Sequence, residues 1–175
     1  EGIPKPRVLG LIPSGVHDFC DYLALRKLGD KPLLAYTLEE ALKTPALDRV
    51  VLTTEDKKIA SFAQSHGVEV IFRPPELTRG AIEHTVLHVL EELKNEAFCP
   101  DVAVILHINS PFKRAEHITE AINTLMIFEV DSVISICEDL KFHYQHGPYG
   151  LTPLFQKRLL RLEKEALYEE NGAIY

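Results

Sequence analysis

The sequence lacks three features, each of which would point to a particular class of protein. Its three cysteines, Cys20, Cys99 and Cys137, lie far apart and form no CxxC pair. We expect them to be reduced, mostly buried thiols, as is typical of a cytoplasmic protein. No apolar run approaches the roughly 20 residues that span a bilayer, and the N-terminus shows no signal-peptide pattern. The sequence therefore predicts no membrane attachment.

The third missing feature is an excess of basic residues. The formal net charge is −7, whereas a nucleic-acid-binding surface needs a basic patch to displace counterions. A polyanionic small ligand such as a nucleotide would need its positive charges gathered in one place. With 175 residues, 46% hydrophobic and 26% charged, the sequence predicts one globular domain over 1–175. Because the first residue is Glu rather than Met, we expect this domain to be an excerpt of a longer protein.

Short runs rich in Val, Ile and Leu recur along the chain without alternating with polar residues. Strands buried on both faces have this pattern, which is typical of a parallel sheet covered by helices. The predicted strands are Val8–Ile12, Val50–Leu52, Val68–Phe72, Val102–Leu106 and Val133–Ile136. Between them, apolar residues recur with a helical period. The predicted apolar helix faces are Leu34, Ala35, Leu38, Ala41 and Leu42; Ile82, Val86, Val89, Leu90 and Leu93; and Ala115, Ile118, Ala121, Ile122, Leu125 and Met126. The sequence thus predicts an α/β fold with an open, mostly parallel sheet.

Ligands of such sheets bind outside the carboxyl ends of the strands, near the topological switch point. The segments expected at that edge are Pro13–Ala24, Thr53–Glu55, Arg73–Gly80 and His107–Lys113. The first of them is unusual, because from Ser14 to Ala24 it has one glycine, two aspartates and no Lys or Arg. In proteins that bind nucleotides, this strand-to-loop position usually carries glycines and basic side chains.

Two histidine pairs invite a functional interpretation. His84 and His88 lie four apart on a predicted helix, but the zincin pattern needs a Glu directly after the first histidine, and Thr stands there. We therefore favour a surface role for this pair. His143 and His146 fall in a segment expected to be an ordinary loop, with a partner or sugar contact as the alternative. The charged residues of 156–170 are expected to form a solvated helix face or part of an interface.

Five segments match one family in order and spacing. They are "LRKLGDKPLLAYTLEEAL", "DRVVLTTEDKKIASFAQSHGVEVIFRPPEL", "LHINSPFKRAEHITEAI", "DSVISI" and "ENGAIY". The chain resembles the cytidylyltransferases that activate acidic sugars, above all the CMP-sialic acid synthetases, or acylneuraminate cytidylyltransferases. The resemblance implies a Rossmann-like fold of the nucleotide-diphosphosugar transferase type. It also implies that CTP and a nine-carbon 2-keto sugar acid react, with Mg²⁺ assisting, to give a CMP-sugar and pyrophosphate.

The first loop departs from the family pattern A-R-G-G-S-K-G-I-P-R-K-N. Aligned without gaps, that pattern falls on "PSGVHDFCDYLA", so that Ser14 stands for the arginine and Asp18 for the first lysine. The later lysine and asparagine are Leu23 and Ala24, while Gly15 is kept. Two unit charges about 4 Å apart interact by about 4 kcal/mol at an effective dielectric of 20. Exchanging Lys for Asp beside a phosphate therefore turns an attraction of that order into a repulsion.

Other family positions are partly retained. The family's D-T-A-S-S is here "RGAIE" at residues 79–83, and its Q-P-T-S-P-L-R is "HINSPFK" at residues 107–113. The resemblance implies a nucleotide-binding role for Ser14, Gly15 and Arg73, and a substrate-binding role for His107, Asn109, Ser110, Lys113 and Asn171. It identifies no metal ligand and no catalytic residue in this chain, because the family's metal-binding aspartates lie beyond its N-G-A-I-Y segment.

Three interpretations of function stay open at this point. The chain is a CMP-sugar synthetase or related nucleotidyltransferase, a catalytically inactive relative that serves binding, assembly or regulation in a larger protein, or a module that binds a sugar acid or nucleotide without turnover. The missing basic residues of the first loop argue for weak or no activity. Because family members commonly pair as dimers through the region after the fifth strand, 138–169 is a candidate dimerisation or insertion segment in a homodimer.

Overall fold

The structure is a computed structural model that describes residues 5–16, 23–78, 80–154 and 167–175 of the chain. Two compact units make up the chain. The first comprises Glu1–Ser135 and Gly172–Tyr175, and the second comprises Ile136–Asn171.

Strands and helices alternate through the described part of the first unit. Its strands are β1 (Val8–Pro13), β2 (Lys27–Leu28), β3 (Lys31–Pro32), β4 (Arg49–Thr54), β5 (Glu69–Phe72) and β6 (Val102–Ile105). Its helices are α1 (Leu33–Leu42), α2 (Lys57–Ser65), α3 (Ile82–Asn95) and α4 (Ala115–Phe128), with 3-10 turns at Leu23–Leu25 and Pro75–Thr78. No helix in the described ranges is long and apolar enough to cross a membrane.

A parallel sheet forms the centre of the first unit, with the strand order β5-β4-β1-β6. The first four predicted strands and the α/β fold are therefore confirmed. Leu9 and Leu11 of β1 pack with α3 on one face, while Ile12 packs with the other three helices on the opposite face. Both faces are covered, which is why these strands are apolar throughout. The order of the strands reverses between β1 and β6, and this gap is the topological switch point.

The helices bury the faces that their apolar period predicts, with two exceptions, Leu42 of α1 and Met126 of α4, which is 42% exposed in the last turn of its helix. On α1, Leu34 and Leu38 are fully buried, whereas Leu42 is 49% exposed at the end of the helix. The prediction for Leu42 is wrong, because the helix ends at that residue. Thr37 is fully buried instead, since it faces a lysine described below. Helix α2 begins after Asp56, whose carboxylate accepts the backbone N–H of two residues in the first turn.

The fifth predicted strand is not part of the parallel sheet. Strand β7 (Ile136–Asp139) begins only at the last residue of the predicted run and pairs antiparallel with β10 (Leu167–Glu170) in the second unit. The edge of β6 is occupied by residues 174–175. The Ile105 N–H donates to the Tyr175 carbonyl at 2.7 Å, and the Tyr175 N–H donates back at 3.1 Å. These residues therefore fill the place that the sequence assigns to the fifth strand.

The second unit consists of two antiparallel ribbons in its described part. One is β7 with β10, and the other is β8 (Tyr144–Gly147) with β9 (Gly150–Pro153). The prediction of an ordinary loop around His146 is thus wrong, because a tight turn with Gly150 at φ +120° closes a hairpin there. Of the charged residues 156–170, expected to form a solvated helix face or part of an interface, the last four form strand β10 and no helix. Residues 155–166 lie outside the described part.

The exposure of the cysteines also differs from expectation. Cys99 and Cys137 are free thiols and both are exposed, so the prediction of mostly buried thiols is wrong for these two. Cys99 lies on the connection between α3 and β6, and Cys137 lies on β7, where three of the four residues are exposed. Cys20 lies outside the described residues.

Candidate functional site at the carboxyl edge of the sheet

The carboxyl ends of β1, β4 and β5 bring three predicted segments together. Hydrogen bonding continues past the strands, since the Ser14 N–H donates to the Thr53 carbonyl at 3.0 Å and the Arg73 N–H to the Thr54 carbonyl at 3.1 Å. Ser14, Gly15 and Arg73 are therefore neighbours, as expected for residues of one site. The loop continues into residues 17–22, among them Asp18, which lie outside the described part of the chain.

An almost buried ion pair lies beneath this loop. Arg73 Nε donates to Oε2 of Glu55 at 3.1 Å, and Arg73 Nη2 lies 3.0 Å from the same oxygen in an ion pair. The two side chains are only 6% and 14% exposed, respectively. The other carboxylate oxygen of Glu55 accepts the backbone N–H of Val16 at 2.7 Å. Glu55 thus joins β5 to the first loop, and its negative charge compensates the guanidinium.

The close packing around this ion pair explains the glycine of the first loop. A Cβ at position 15 would lie 2.4 Å from Nη2 of Arg73 and 2.8 Å from Oε1 of Glu55. Real Cβ atoms do not come that close to other heavy atoms, so a side chain at Gly15 would push the ion pair apart. The need for glycine here is steric.

Two hydroxyl groups at this edge are buried and unpaired. Ser14 is 2% exposed and Thr53 is fully buried, and neither Oγ of Ser14 nor Oγ1 of Thr53 has a hydrogen-bond partner among the described residues. Buried polar groups are rarely left in this state. Ser14 therefore brings to the site a donor and acceptor that the described part of the chain does not use.

The loop that follows β6 is held in place by a buried lysine. Lys113 is 4% exposed, and its Nζ donates to Thr37 Oγ1 at 3.1 Å, to the His107 carbonyl at 2.5 Å and to the Ser110 carbonyl at 2.7 Å. Three acceptors match the three donors of an ammonium group. Burial lowers the pKa of Lys113 to about 8. The lysine thus fastens the loop to α1, and its donors point into the protein.

His107 is the side chain of this loop best placed for contact with a ligand. It is partly buried, and its ring meets that of Tyr175 edge-on, with 5.5 Å between the centroids. Burial, and after it the positive charge of Lys113, lower the pKa of His107 below its ordinary 6.5. The imidazole is therefore neutral at pH 7 and can both donate and accept a hydrogen bond. Asn109 is exposed on the same loop.

A cavity of about 590 Å³ opens beside His107. It is lined by Ile82, Glu83, Val86, Leu87, Ile105, His107 and Tyr175. Most of these side chains are apolar, and His107, Tyr175 and Glu83 supply the polar groups, an arrangement typical of small-molecule pockets. Among the described residues that line it, none is Lys or Arg. The cavity therefore offers shape and hydrogen bonds but little positive charge.

The other residues that the sequence singles out are Asn171, for a binding role, and the pair His84 and His88. Asn171 belongs to the second unit. Both His84 and His88 lie on α3, and His88 Nε2 is 3.2 Å from the Phe72 carbonyl. Within the ranges that the structure describes, no three His, Cys, Asp or Glu side chains form a group that could hold a metal ion.

Glu55 falls in a segment predicted at this edge but has no predicted role, and Tyr175 is predicted only as the last residue of the matched segment "ENGAIY". Glu55 lies on the boundary between β4 and α2, where an acidic residue is ordinary. No local pattern shows that a side chain 18 positions away in sequence pairs with it. A signal was nevertheless available, because an arginine that is expected in a buried edge segment needs an acidic partner.

The fold and this edge define the class of the protein: a Rossmann-like α/β protein with its site outside the carboxyl ends of the strands. Two solved structures share the fold over nearly the whole chain. A CMP:2-keto-3-deoxy-manno-octonic acid synthetase complexed with CTP superposes with a TM-score of 0.68 at 13% identity, covering 96% of this chain and 73% of that one. A 4-diphosphocytidyl-2C-methyl-D-erythritol synthase also gives 0.68, at 14% identity, covering 98% of this chain and 75% of that one.

The chain belongs to the cytidylyltransferase family, whose pattern matches residues 24–175. It is 28% identical to an N-acylneuraminate cytidylyltransferase of Escherichia coli over 98% of this chain and 42% of that protein. It is 27% identical to a CMP-N,N'-diacetyllegionaminic acid synthase of Legionella pneumophila, over 86% of this chain and 68% of that protein. The resemblance drawn from the five sequence segments is confirmed. The chain spans less than half the length of the first of these relatives.

Proposed function

We propose that this chain is a CMP-sugar synthetase-like nucleotidyltransferase domain that transfers CMP from CTP to a 2-keto sugar acid. The observation that supports this most directly is the cavity beside His107. It opens at the carboxyl edge of a cytidylyltransferase fold, next to the switch point, and it has the size of a small-molecule pocket. Membership of the family supplies the reaction type.

In this proposal the sugar binds in the cavity, with the neutral imidazole of His107 and the phenol of Tyr175 as hydrogen-bonding groups. The anomeric hydroxyl oxygen forms a bond to the α-phosphorus of CTP, and the bond from that phosphorus to the bridging oxygen of the β-phosphate breaks. Pyrophosphate leaves with the electron pair, and the hydroxyl proton passes to solvent or to a nearby base. In this proposal, Mg²⁺ is bound by the nucleotide as its counter-ion.

The alternative is a catalytically inactive domain that serves binding, assembly or regulation in a larger protein. One observation favours it: the two basic side chains described at this edge, Arg73 and Lys113, are already engaged, whereas a triphosphate needs cations. Glu55 compensates the charge of Arg73, and Lys113 directs its donors into the protein. Ser14 replaces the arginine of the family pattern. A degenerate phosphate-binding region of this kind is what the inactive domain would have.

A calorimetric titration with CTP and Mg²⁺ distinguishes the two candidates, followed by an assay of pyrophosphate release with a panel of 2-keto sugar acids. Micromolar affinity that falls at least tenfold in Arg73→Gln, together with pyrophosphate release, would support the transferase. The matched control is Arg7→Gln, which removes an equal charge just ahead of the amino end of β1 and should leave CTP affinity unchanged. Absence of CTP binding at millimolar concentration would exclude the transferase and leave the inactive domain.

We also propose a homodimer formed through the second unit. On the hairpin, Tyr144 faces Pro153 and His146 faces Leu151 across the two strands, and side chains of these alternate positions share one face. Tyr144 and Leu151 are 59% and 65% exposed. A two-stranded hairpin is marginally stable alone, and an apolar face of this kind is typical of an interface.

Sedimentation equilibrium tests the dimer, with Leu151→Ser expected to shift the protein towards the monomer and Thr152→Ser, on the opposite face, expected to leave it unchanged. A wild-type monomer at high concentration would exclude the dimer. A cytoplasmic location is proposed from the two free thiols, Cys99 and Cys137.

A further inference from the structure

Glu83 supplies the cavity beside His107 with a negative charge. It lies in the first turn of α3, and the other residues that this helix contributes to the lining, Ile82, Val86 and Leu87, are apolar. Among the described residues that line the cavity, no other is Asp, Glu, Lys or Arg. Glu83 is exposed, and within the described ranges no hydrogen bond or ion pair engages its carboxylate. The charge is therefore available to a ligand in the cavity.

We propose that the cavity selects a ligand that carries an ammonium group, and that Glu83 is the residue that determines this specificity. A carboxylate attracts a cation and repels an anion, and both effects are stronger beside apolar walls that exclude water. The inference rests on the proposed function only for the kind of molecule that carries the amine. The acceptor of the CMP group is then a 2-keto sugar acid with a free amino group.

The polar groups of the cavity come from separate elements, and this sets the orientation of such a sugar acid. Helix α3 provides the carboxylate of Glu83, whereas His107 follows β6 and Tyr175 pairs with that strand. The lowered pKa of His107 leaves its imidazole neutral at pH 7, so it can donate a hydrogen bond to a carboxylate. The amine is expected near Glu83 and the carboxylate near His107 and Tyr175. The reverse orientation would bring two carboxylates together, which is unfavourable.

Glu83 also has an ordinary structural role, which the test must separate from ligand selection. A carboxylate in the first turn of a helix interacts favourably with the helix dipole. Glu116 is exposed and occupies the same position in α4, as the second residue of the helix. If the role of Glu83 is only structural, Glu83→Gln and Glu116→Gln should have the same effect on ligand binding. Glu116→Gln is therefore the matched control, and it removes an equal charge.

D-glucosamine and D-glucose are suitable probes, because they differ only in an ammonium group in place of a hydroxyl. Binding is measured near pH 7 at low salt by NMR titration of the isotope-labelled protein, in which the amides of residues 82–87 should respond. The wild type should bind glucosamine about two- to fivefold more tightly than glucose, as expected for a partly exposed ion pair. Glu83→Gln should lose this preference, and Glu116→Gln should keep it.

Three results would each overturn the proposal: no binding of glucosamine, equal binding of the two sugars, or a preference that survives Glu83→Gln. If Glu83→Gln does not fold, the same titration of the wild type at increasing salt replaces it. The preference for glucosamine should then shrink, because salt screens an exposed ion pair. A preference that salt leaves unchanged would contradict the role of Glu83.

The failure of this inference differs from the failure of the transferase. A preference for glucosamine in a protein that does not bind CTP would support the role of Glu83 and exclude the transferase. Pyrophosphate release that is as efficient with N-acetylated 2-keto sugar acids as with those that carry a free amine would support the transferase and overturn the role of Glu83.

Discussion

Replacing Lys113 with methionine tests which of two opposing effects decides the charge of a buried lysine. Burial disfavours the ammonium form, whereas the three acceptors at 2.5 to 3.1 Å favour it. Burial is the larger effect if the pKa of Lys113 lies at about 8 and not at its ordinary 10.5. That difference corresponds to about 3 kcal/mol of differential stability between the two protonation states.

The sign of the pH dependence follows from proton linkage. Between about pH 8 and 10.5 the folded protein holds a neutral amine while the unfolded chain is still protonated. The unfolded state then binds more protons, so the stability of the folded state rises with pH across this window and falls again as the pH drops through 8. Lys113→Met removes the titrating group. The wild-type free energy of unfolding minus that of Lys113→Met should therefore increase by up to about 3 kcal/mol from pH 7.5 to 10.5.

Urea denaturation of both proteins at intervals of half a pH unit measures this difference, and subtraction cancels the other groups that titrate in the same range. Lys27→Met, which removes an exposed lysine, controls for the change in net charge. A difference that stays flat or falls with pH would refute the reasoning, since it would mean that the three hydrogen bonds outweigh burial and keep the ammonium form.

Two further predictions concern the first loop. Gly15→Ala places a Cβ 2.4 Å from Nη2 of Arg73 and should lower the free energy of unfolding, measured by urea denaturation, by about 1–3 kcal/mol. Gly80→Ala is the control, because its Cβ would meet no atom closer than 3.7 Å, and it should leave the stability nearly unchanged. Equal effects of the two changes would contradict the steric explanation. The double change Ser14→Arg with Asp18→Lys should raise CTP affinity in calorimetry if the loop is a phosphate cradle that has lost its cations. An unchanged affinity would show that the loop is misaligned with the family pattern.

The strands of the parallel sheet could be predicted because their burial is a local property of the sequence. Runs such as Val50–Leu52 are apolar throughout since helices cover both faces, and this pattern is visible in any window of a few residues. The edge of the sheet that carries the site follows from the strand order in any open α/β fold.

The contacts that decide the chemistry of the site could not be predicted, because they join distant parts of the chain. Glu55 and Arg73 are unremarkable in isolation, and only the pairing of β4 with β5 places them together. Lys113 occupies a family arginine position, but its burial against Thr37 depends on how α1 packs. The edge of the sheet that carries the site could be predicted, whereas the outermost strand could not. Its place beside Ile105 is taken by Tyr175, which lies 70 positions further along the chain.

The pairing of the tail with β6 has a consequence for how the domain is made. In the described part of the chain, Ile105 forms its outer hydrogen bonds with Tyr175, and Tyr175 also lines the cavity beside His107. During synthesis from the N-terminus, the sheet can assemble early, but its outer edge stays unpaired and the cavity stays open on one side until residue 175 has emerged. An unpaired edge is where chains add to one another. The second unit, which contains the hairpin, is thus synthesised while the edge of the sheet is still exposed. The pairing of Tyr175 with Ile105 then completes the pocket and protects the edge at once.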